Sequence, residues 1–209
     1  MYSVLPATAY VPTRYPLFKQ YDYRWANDTM VSTTVAAVGC LMSSTSMALN
    51  ANGICIPTSS ATDAGAVAAT PGTLNAWLRT HKGYTGSNDM EEAAIPAINP
   101  AHVGWTAEGM HRTNDLSIES VATLLESGQP VIANVLHGHH FVLVVGTDRR
   151  AGSTTLFVND PGFYRNSCRL CRLESALVDA AFPTHSLTGI AIPPRQMITT
   201  MSSAGVFST

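Results

Sequence analysis

Four residues in this chain are of types that cooperate in acyl transfer: Cys40, His140, Asp160 and Gln20. A cysteine nucleophile acts as its thiolate, and it needs a base within hydrogen-bond reach and a third group to orient that base's ring. The tetrahedral oxyanion that follows needs donors, which an amide side chain and the backbone N–H of the nucleophile can supply. Each residue also has an ordinary structural reading. Cys40 can be a small buried hydrophobe, Gln20 a surface residue, His140 a satisfied strand-end histidine, and Asp160-Pro161-Gly162 simply a turn. Taken together, in this order and on compatible elements, the four outweigh those separate readings.

The elements that must position them follow from local pattern. Gly39 precedes Cys40, which opens a run of small and apolar residues at helical spacing, with Leu41, Ser44 or Thr45, Ala48 and Leu49 on one face. Asn52-Gly53 terminates it, since both residue types tolerate the left-handed conformation of a C-cap. Cys40 is thus predicted in the first turn, where unpaired N–H groups and the positive dipole end favour an anion. Before it, residues 1–19 read as an extended arm, 20–25 as a short strand or loop near the cysteine helix, and 27–34 as a polar connection.

After it, 54–69 reads as a small-residue loop. Thr70 then caps a helix with Pro71 at its first position and Leu74, Trp77 and Leu78 as its buried stripe. Residues 81–113 read as an irregular excursion with short strands near 101–105. A further helix starts at Asp115-Leu116-Ser117, carries Ile118, Val121, Leu124 and Leu125, and stops at Gly128. Strands follow at 130–136, 140–146 and 154–158, with His137-Gly138-His139 as the turn between the first two. The third ends at Asn159-Asp160-Pro161-Gly162. Adjacent strands lie ~4.8 Å apart, so the Asp160 carboxylate can reach the far nitrogen of His140. A short helix over 174–181 and a last strand over 187–192 complete the chain. Helices first and an antiparallel sheet second make an α+β arrangement rather than alternating βαβ units.

Composition narrows the function classes. The chain has 209 residues, long enough for one well-buried domain or one domain with a small second lobe. Charged residues make up 12%, about half the usual ~25%, and the net charge is −2. That balance offers no electrostatic footprint for nucleic acid or an anionic membrane. No apolar run approaches the ~20 residues of a membrane helix. Residues 1–8 have neither a basic n-region nor a sustained apolar h-region, so no signal peptide is expected. The low charge content nevertheless leans slightly toward an extracellular or exported protein. The four cysteines, Cys40, Cys55, Cys168 and Cys171, are too sparse for a disulfide-stapled scaffold.

The ordered segments resemble the papain-like cysteine peptidases related to the bacteriocin-processing, double-glycine-leader peptidases, in their stand-alone form without a transporter. The matching residues are Gln20 with Trp25, Gly39-Cys40 with residues 43–49 behind it, and Thr70-Pro71 with Leu74 and Trp77-Leu78. Toward the C-terminus they are Gly128-Gln129-Pro130-Val131-Ile132, His140-Phe141-Val142-Leu143-Val144-Val145-Gly146 and Asp160-Pro161.

The resemblance implies a single papain-like α+β domain over 1–209. In it an N-terminal arm (1–19) precedes a helical half (20–80), whose nucleophile helix packs on a C-terminal antiparallel sheet half (114–192). It implies Cys40 as nucleophile, His140 as general base and acid, Asp160 as the orienting residue and Gln20 as an oxyanion donor. It also implies a peptide or protein substrate and no cofactor or metal. The pattern usually has glycine before the catalytic histidine, where this chain has His139, so His139 competes with His140. Residues 81–113 and 164–209 depart most from the family and are where substrate specificity would lie.

Three rivals stand beside this reading. Cys168-x-x-Cys171 with His137, His139 and His140 could form a zinc site, although a lone CxxC without its second pair is weak evidence. A transglutaminase-like enzyme or peptidoglycan amidase would use the same residues, because an amine or water can resolve the thioester. A non-catalytic peptide-binding module is the third, and the intact set Gln20, Cys40, His140 and Asp160 argues against it.

Overall fold

The break between two helices falls at Gly39. Helix α1 (Val35–Val38) ends there and α2 (Cys40–Ala51) begins at the next residue. A Cβ at Gly39 would stand 2.5 Å from the Val35 carbonyl oxygen, so the turn admits glycine alone without a shift of backbone. The computed structural model describes residues 8–10, 15–58, 65–105, 117–135, 139–150, 153–163, 171–174 and 187–191.

The run after Cys40 forms α2, a buried helix as expected. It is buried all round over 42–49, including Ser43, Ser44, Thr45 and Ser46, because it lies between the sheet and a second helix. Small side chains let both neighbours approach closely. Thr45 Oγ1 donates to Leu41 O at 2.9 Å and Ser46 Oγ to Ser43 O at 2.8 Å, the local back-bonding open to helical hydroxyls. Ser44 Oγ reaches across to Phe141 O at 3.3 Å. The helix stops at Asn52, and Gly53 takes the left-handed φ of 69° that the turn out of it requires.

Helix α3 (Pro71–Thr80) has the expected N-terminus. Thr70 Oγ1 accepts from Thr73 N at 3.2 Å while Thr73 Oγ1 accepts from Thr70 N at 2.8 Å, a capping box made by two threonines. Leu74, Trp77 and Leu78 are buried against α2 and its surroundings. Helix α4 (Ile118–Glu126) is capped by Ser117 and followed by Gly128 at φ 87°.

The main sheet is antiparallel throughout. In chain order its strands are β1 (Thr8–Tyr10), β4 (Gly104–Trp105), β5 (Val131–Val135), β6 (His140–Arg150), β7 (Ser153–Asn159), β8 (Cys171–Glu174) and β9 (Leu187–Ala191). They lie in the order β4-β9-β5-β6-β7-β8. The long strand β6 pairs with β7 along one edge; its other edge takes β5 beside its first half and β1 beside residues 147–149.

Alternation along the strands sorts the core into two layers. Ile132, Leu143 and Val145 pack with Met42, Met47, Leu74 and Leu78 on the α2/α3 face. Val131, Ala133, Val135, Val142 and Val144 pack with Val121, Ala122 and Leu125 under α4.

Two expectations need correction. The 54–69 segment is not all loop, for Cys55–Pro57 (β2) and Ala66–Ala68 (β3) pair as a small hairpin. The short strand expected near 101–105 is present as β4, which closes the sheet edge by pairing with β9, and the same 81–113 excursion also contains a 3₁₀ segment, Glu92–Ile98. Glu174, expected to open a helix, is the last residue of β8 and pairs with Thr155. Cross-strand pairing with β7 outweighs the weak local helix signal there. Residues 175–181, 106–113 and the turn residues His137 and Gly138 lie outside the described residues.

Candidate active site

His140 is the first residue of β6, opposite Val135, and Asp160 follows the last residue of β7. Because Leu143 pairs with Asn159, the chain beyond β7 runs back beside the start of β6 and brings residues 160–163 to the His140 ring. His140 Nε2 lies 2.8 Å from Asp160 Oδ1, with the residues only 8% and 6% exposed. An ionised carboxylate can only accept, so Nε2 carries the proton of this bond. Nδ1 is left for another partner, and Cys40 at the start of α2 lines the same cleft as the ring. His139, by contrast, is exposed and lines the cleft beside this group.

The electrostatics follow from burial and pairing. Burial alone would pull the His140 pKa down, but the hydrogen bond and charge of Asp160, joined by Cys40, push it up to about 9. Burial would raise Asp160. The His140 ring, the Gly162 N–H and the Lys19 ammonium outweigh it and hold the carboxyl below its usual range.

Gln20 is 4% exposed and lines the same cleft as Cys40 and His140. Its backbone N–H donates to Pro161 O at 3.0 Å and its Nε2 to Ala36 O at 2.7 Å. One Nε2 hydrogen is fixed in this way, which sets the direction of the second. The four residues Gln20, Cys40, His140 and Asp160 are therefore brought into one neighbourhood from four separate parts of the chain.

Several contributors carried no signal in the sequence reading. Gly162 lies against the His140 ring, where a Cβ would stand 2.6 Å from Cε1. Phe163 meets the same ring edge-on, with centroids 5.5 Å apart at 89°. Lys19 ties the loop from outside. Asn88 takes the left-handed φ of 70°, and its Oδ1 accepts from the backbone N–H groups of Val31, Ser32 and Thr33 at 3.0, 2.8 and 3.2 Å. Nothing in the residue pattern around Asn88 announces that clamp.

The cleft has a volume of about 800 Å³. Exposed Tyr21, Val38 and Phe163 contribute to its rim, and the 87–92 segment held by Asn88 forms part of its lining. Asp89, Glu91 and Glu92 give that segment a negative field. Among the described residues no group of three or more His, Cys, Asp or Glu could hold a metal ion. Cys168 and His137 of the zinc alternative lie outside the described residues. No described helix is long and apolar enough to cross a membrane.

Helices packed on an antiparallel sheet, with a cysteine at a helix start beside a histidine–carboxylate pair, place the chain in the α+β class. The model of the Peptidase_C39 like family matches residues 13–172, and the chain belongs to that family, whose fold is papain-like. Searches of curated proteins and of solved structures gave no significant match.

Proposed function

We propose that this chain is a cysteine peptidase that hydrolyses a peptide or related amide bond through a thioester acyl-enzyme. Membership of a peptidase family supports the class. The observation that carries the mechanism is the buried His140 Nε2–Asp160 Oδ1 contact of 2.8 Å, with Cys40 lining the same cleft as the ring and contributing to its raised pKa.

In this reading 1–209 is one domain and α2 is its nucleophile helix. The Cys40 thiolate attacks the scissile carbonyl carbon. The free Nε2 hydrogen of Gln20 and the Cys40 backbone N–H receive the oxyanion, which such donors stabilise by several kcal/mol. The His140 imidazolium gives its Nδ1 proton to the leaving amine as the C–N bond breaks. Water then attacks the thioester, His140 takes one of its protons, and the acid product leaves as the Cys40 sulfur departs. Asp160 keeps the ring in the tautomer and orientation these transfers need and remains ionised.

The test is digestion of a diverse synthetic peptide library, read by mass spectrometry, with wild type and Cys40→Ala. New termini produced by wild type and absent with Cys40→Ala support the reading. Cleavage that persists in Cys40→Ala refutes it.

A further inference from the structure

The loop 160–163 carries the carboxylate that holds His140, the glycine under its ring and the phenyl at its edge, yet it cannot satisfy its own carbonyls. Asp160 Oδ1 takes the N–H groups of Gly162 (2.7 Å) and Phe163 (3.3 Å), the donors a tight turn would otherwise return to the Asp160 carbonyl. That carbonyl is taken instead by Lys19 Nζ at 2.6 Å. The same ammonium holds Phe163 O at 2.8 Å, and the next residue, Gln20, donates its N–H to Pro161 O at 3.0 Å. Two consecutive residues thus hold three of the four carbonyls of the loop.

Their own backbone is anchored. Lys19 O accepts from the indole Nε1 of buried Trp25 at 2.7 Å, and Phe18 packs edge-on to that indole with centroids 5.7 Å apart. Asn159 Nδ2 donates to Pro16 O at 3.0 Å on the other side.

We propose that Lys19 is a positioning residue for His140: its ammonium clamps the two ends of the 160–163 loop and locks it in register with Gln20, the adjoining candidate oxyanion donor. This rests on the peptidase reading of Cys40, His140 and Asp160. Two charge-assisted hydrogen bonds from one Nζ fix the spacing between the Asp160 and Phe163 carbonyls. Asp160 and Phe163, with Gly162 between them, meet His140, so the clamp sets where the ring sits relative to Cys40. A displacement of about 1 Å in such a group costs on the order of 10²-fold in rate.

The experiment measures alkylation of Cys40 by iodoacetamide from pH 5 to 10, read at individual cysteines by mass spectrometry. It compares wild type, Lys19→Met, Lys19→Arg and His140→Ala, with circular dichroism melts to establish folding. Lys19→Met keeps the aliphatic stem and removes the donors. The expected result is a folded protein whose Cys40 reactivity at pH 6 falls at least threefold toward the His140→Ala value, with Lys19→Arg recovering most of the loss. If Lys19→Met unfolds, Lys19→Gln replaces it, with an amide too short to span both carbonyls, and the same fall is expected.

A Lys19→Met or Lys19→Gln profile identical to wild type, or a loss that Lys19→Arg leaves unrepaired, overturns the proposal. If wild type and His140→Ala already coincide, the failure lies in the peptidase reading beneath it, and the role of Lys19 falls with it.

Discussion

Gly162 lies under the His140 imidazole with no room for even a methyl group, since a Cβ there would stand 2.6 Å from Cε1 and 3.2 Å from Nε2. The ring is therefore held from three directions, by the Asp160 carboxylate, by Phe163 at its edge and by bare backbone at Gly162. Gly162→Ala pushes the ring off that position or opens the loop. We expect peptidase kcat/KM to fall about 10- to 100-fold, with a thermal midpoint lowered by only a few degrees. A kinetic comparison beside a melting curve separates the two effects. Unchanged kinetics would mean that the ring does not need this contact.

The raised pKa of His140 makes stability depend on pH with a definite sign. Its folded value of about 9 lies above the ordinary 6.5, so its contribution is complete below pH 6.5 and is lost as pH rises from there through 9. Asp160 has the opposite sign. Its folded pKa is depressed below 3.8, so its contribution is present above that value and fades as pH falls through the folded pKa. Urea unfolding at pH 6 and pH 9.5 should show wild type losing on the order of 2–3 kcal/mol on the alkaline side. His140→Ala should lose far less over the same interval.

Gly39 has a different steric role, at the nucleophile's own backbone. A Cβ there would meet Val35 O at 2.5 Å and Val35 Cγ1 at 2.8 Å, in the turn that separates α1 from α2. Gly39→Ala is expected to cost about 1–3 kcal/mol of stability, in the range of other overpacked sites, and to move the Cys40 N–H. Denaturant midpoints measure the first effect. A loss of kcat at unchanged KM would report the second.

Asn88 supports the cleft rather than its chemistry. Its Oδ1 satisfies three consecutive N–H groups over 31–33, and its Nδ2 donates to Ser32 Oγ at 2.9 Å. Asn88→Gly keeps the left-handed backbone and removes the clamp. The expected outcome is a several-fold rise in KM with kcat nearly unchanged, measured on any peptide the library yields. A fall in kcat at constant KM would contradict this division of roles.

Much of the fold was legible because its central elements are locally consistent. The run after Cys40, the Thr70-Pro71 cap and the β-branched segments at 131–135 and 140–146 each specify one kind of structure. The meeting of His140 with Asp160 could be foreseen because one hairpin joins their strands. What escaped notice depends on contacts distant in sequence. β4 pairs with β9 across more than eighty residues. β2 and β3 form a hairpin whose second strand, Ala66-Val67-Ala68, has little strand character of its own. β8 ends where a helix was expected because β7 offers it a partner. Lys19, Gly162 and Asn88 act through carbonyls, a ring face and backbone N–H groups, and no residue pattern advertises such contacts.

In the proposed mechanism Cys40 and His140 act as one unit. The most direct test alkylates the folded protein with iodoacetamide at pH 6, where an ordinary thiol is almost entirely protonated, and compares Cys40 with the exposed free Cys55 as an internal reference. Cys40 is expected to react at least tenfold faster than Cys55 in wild type and to lose that advantage in His140→Ala. Equal rates at the two cysteines, or a fast Cys40 indifferent to His140→Ala, would contradict it.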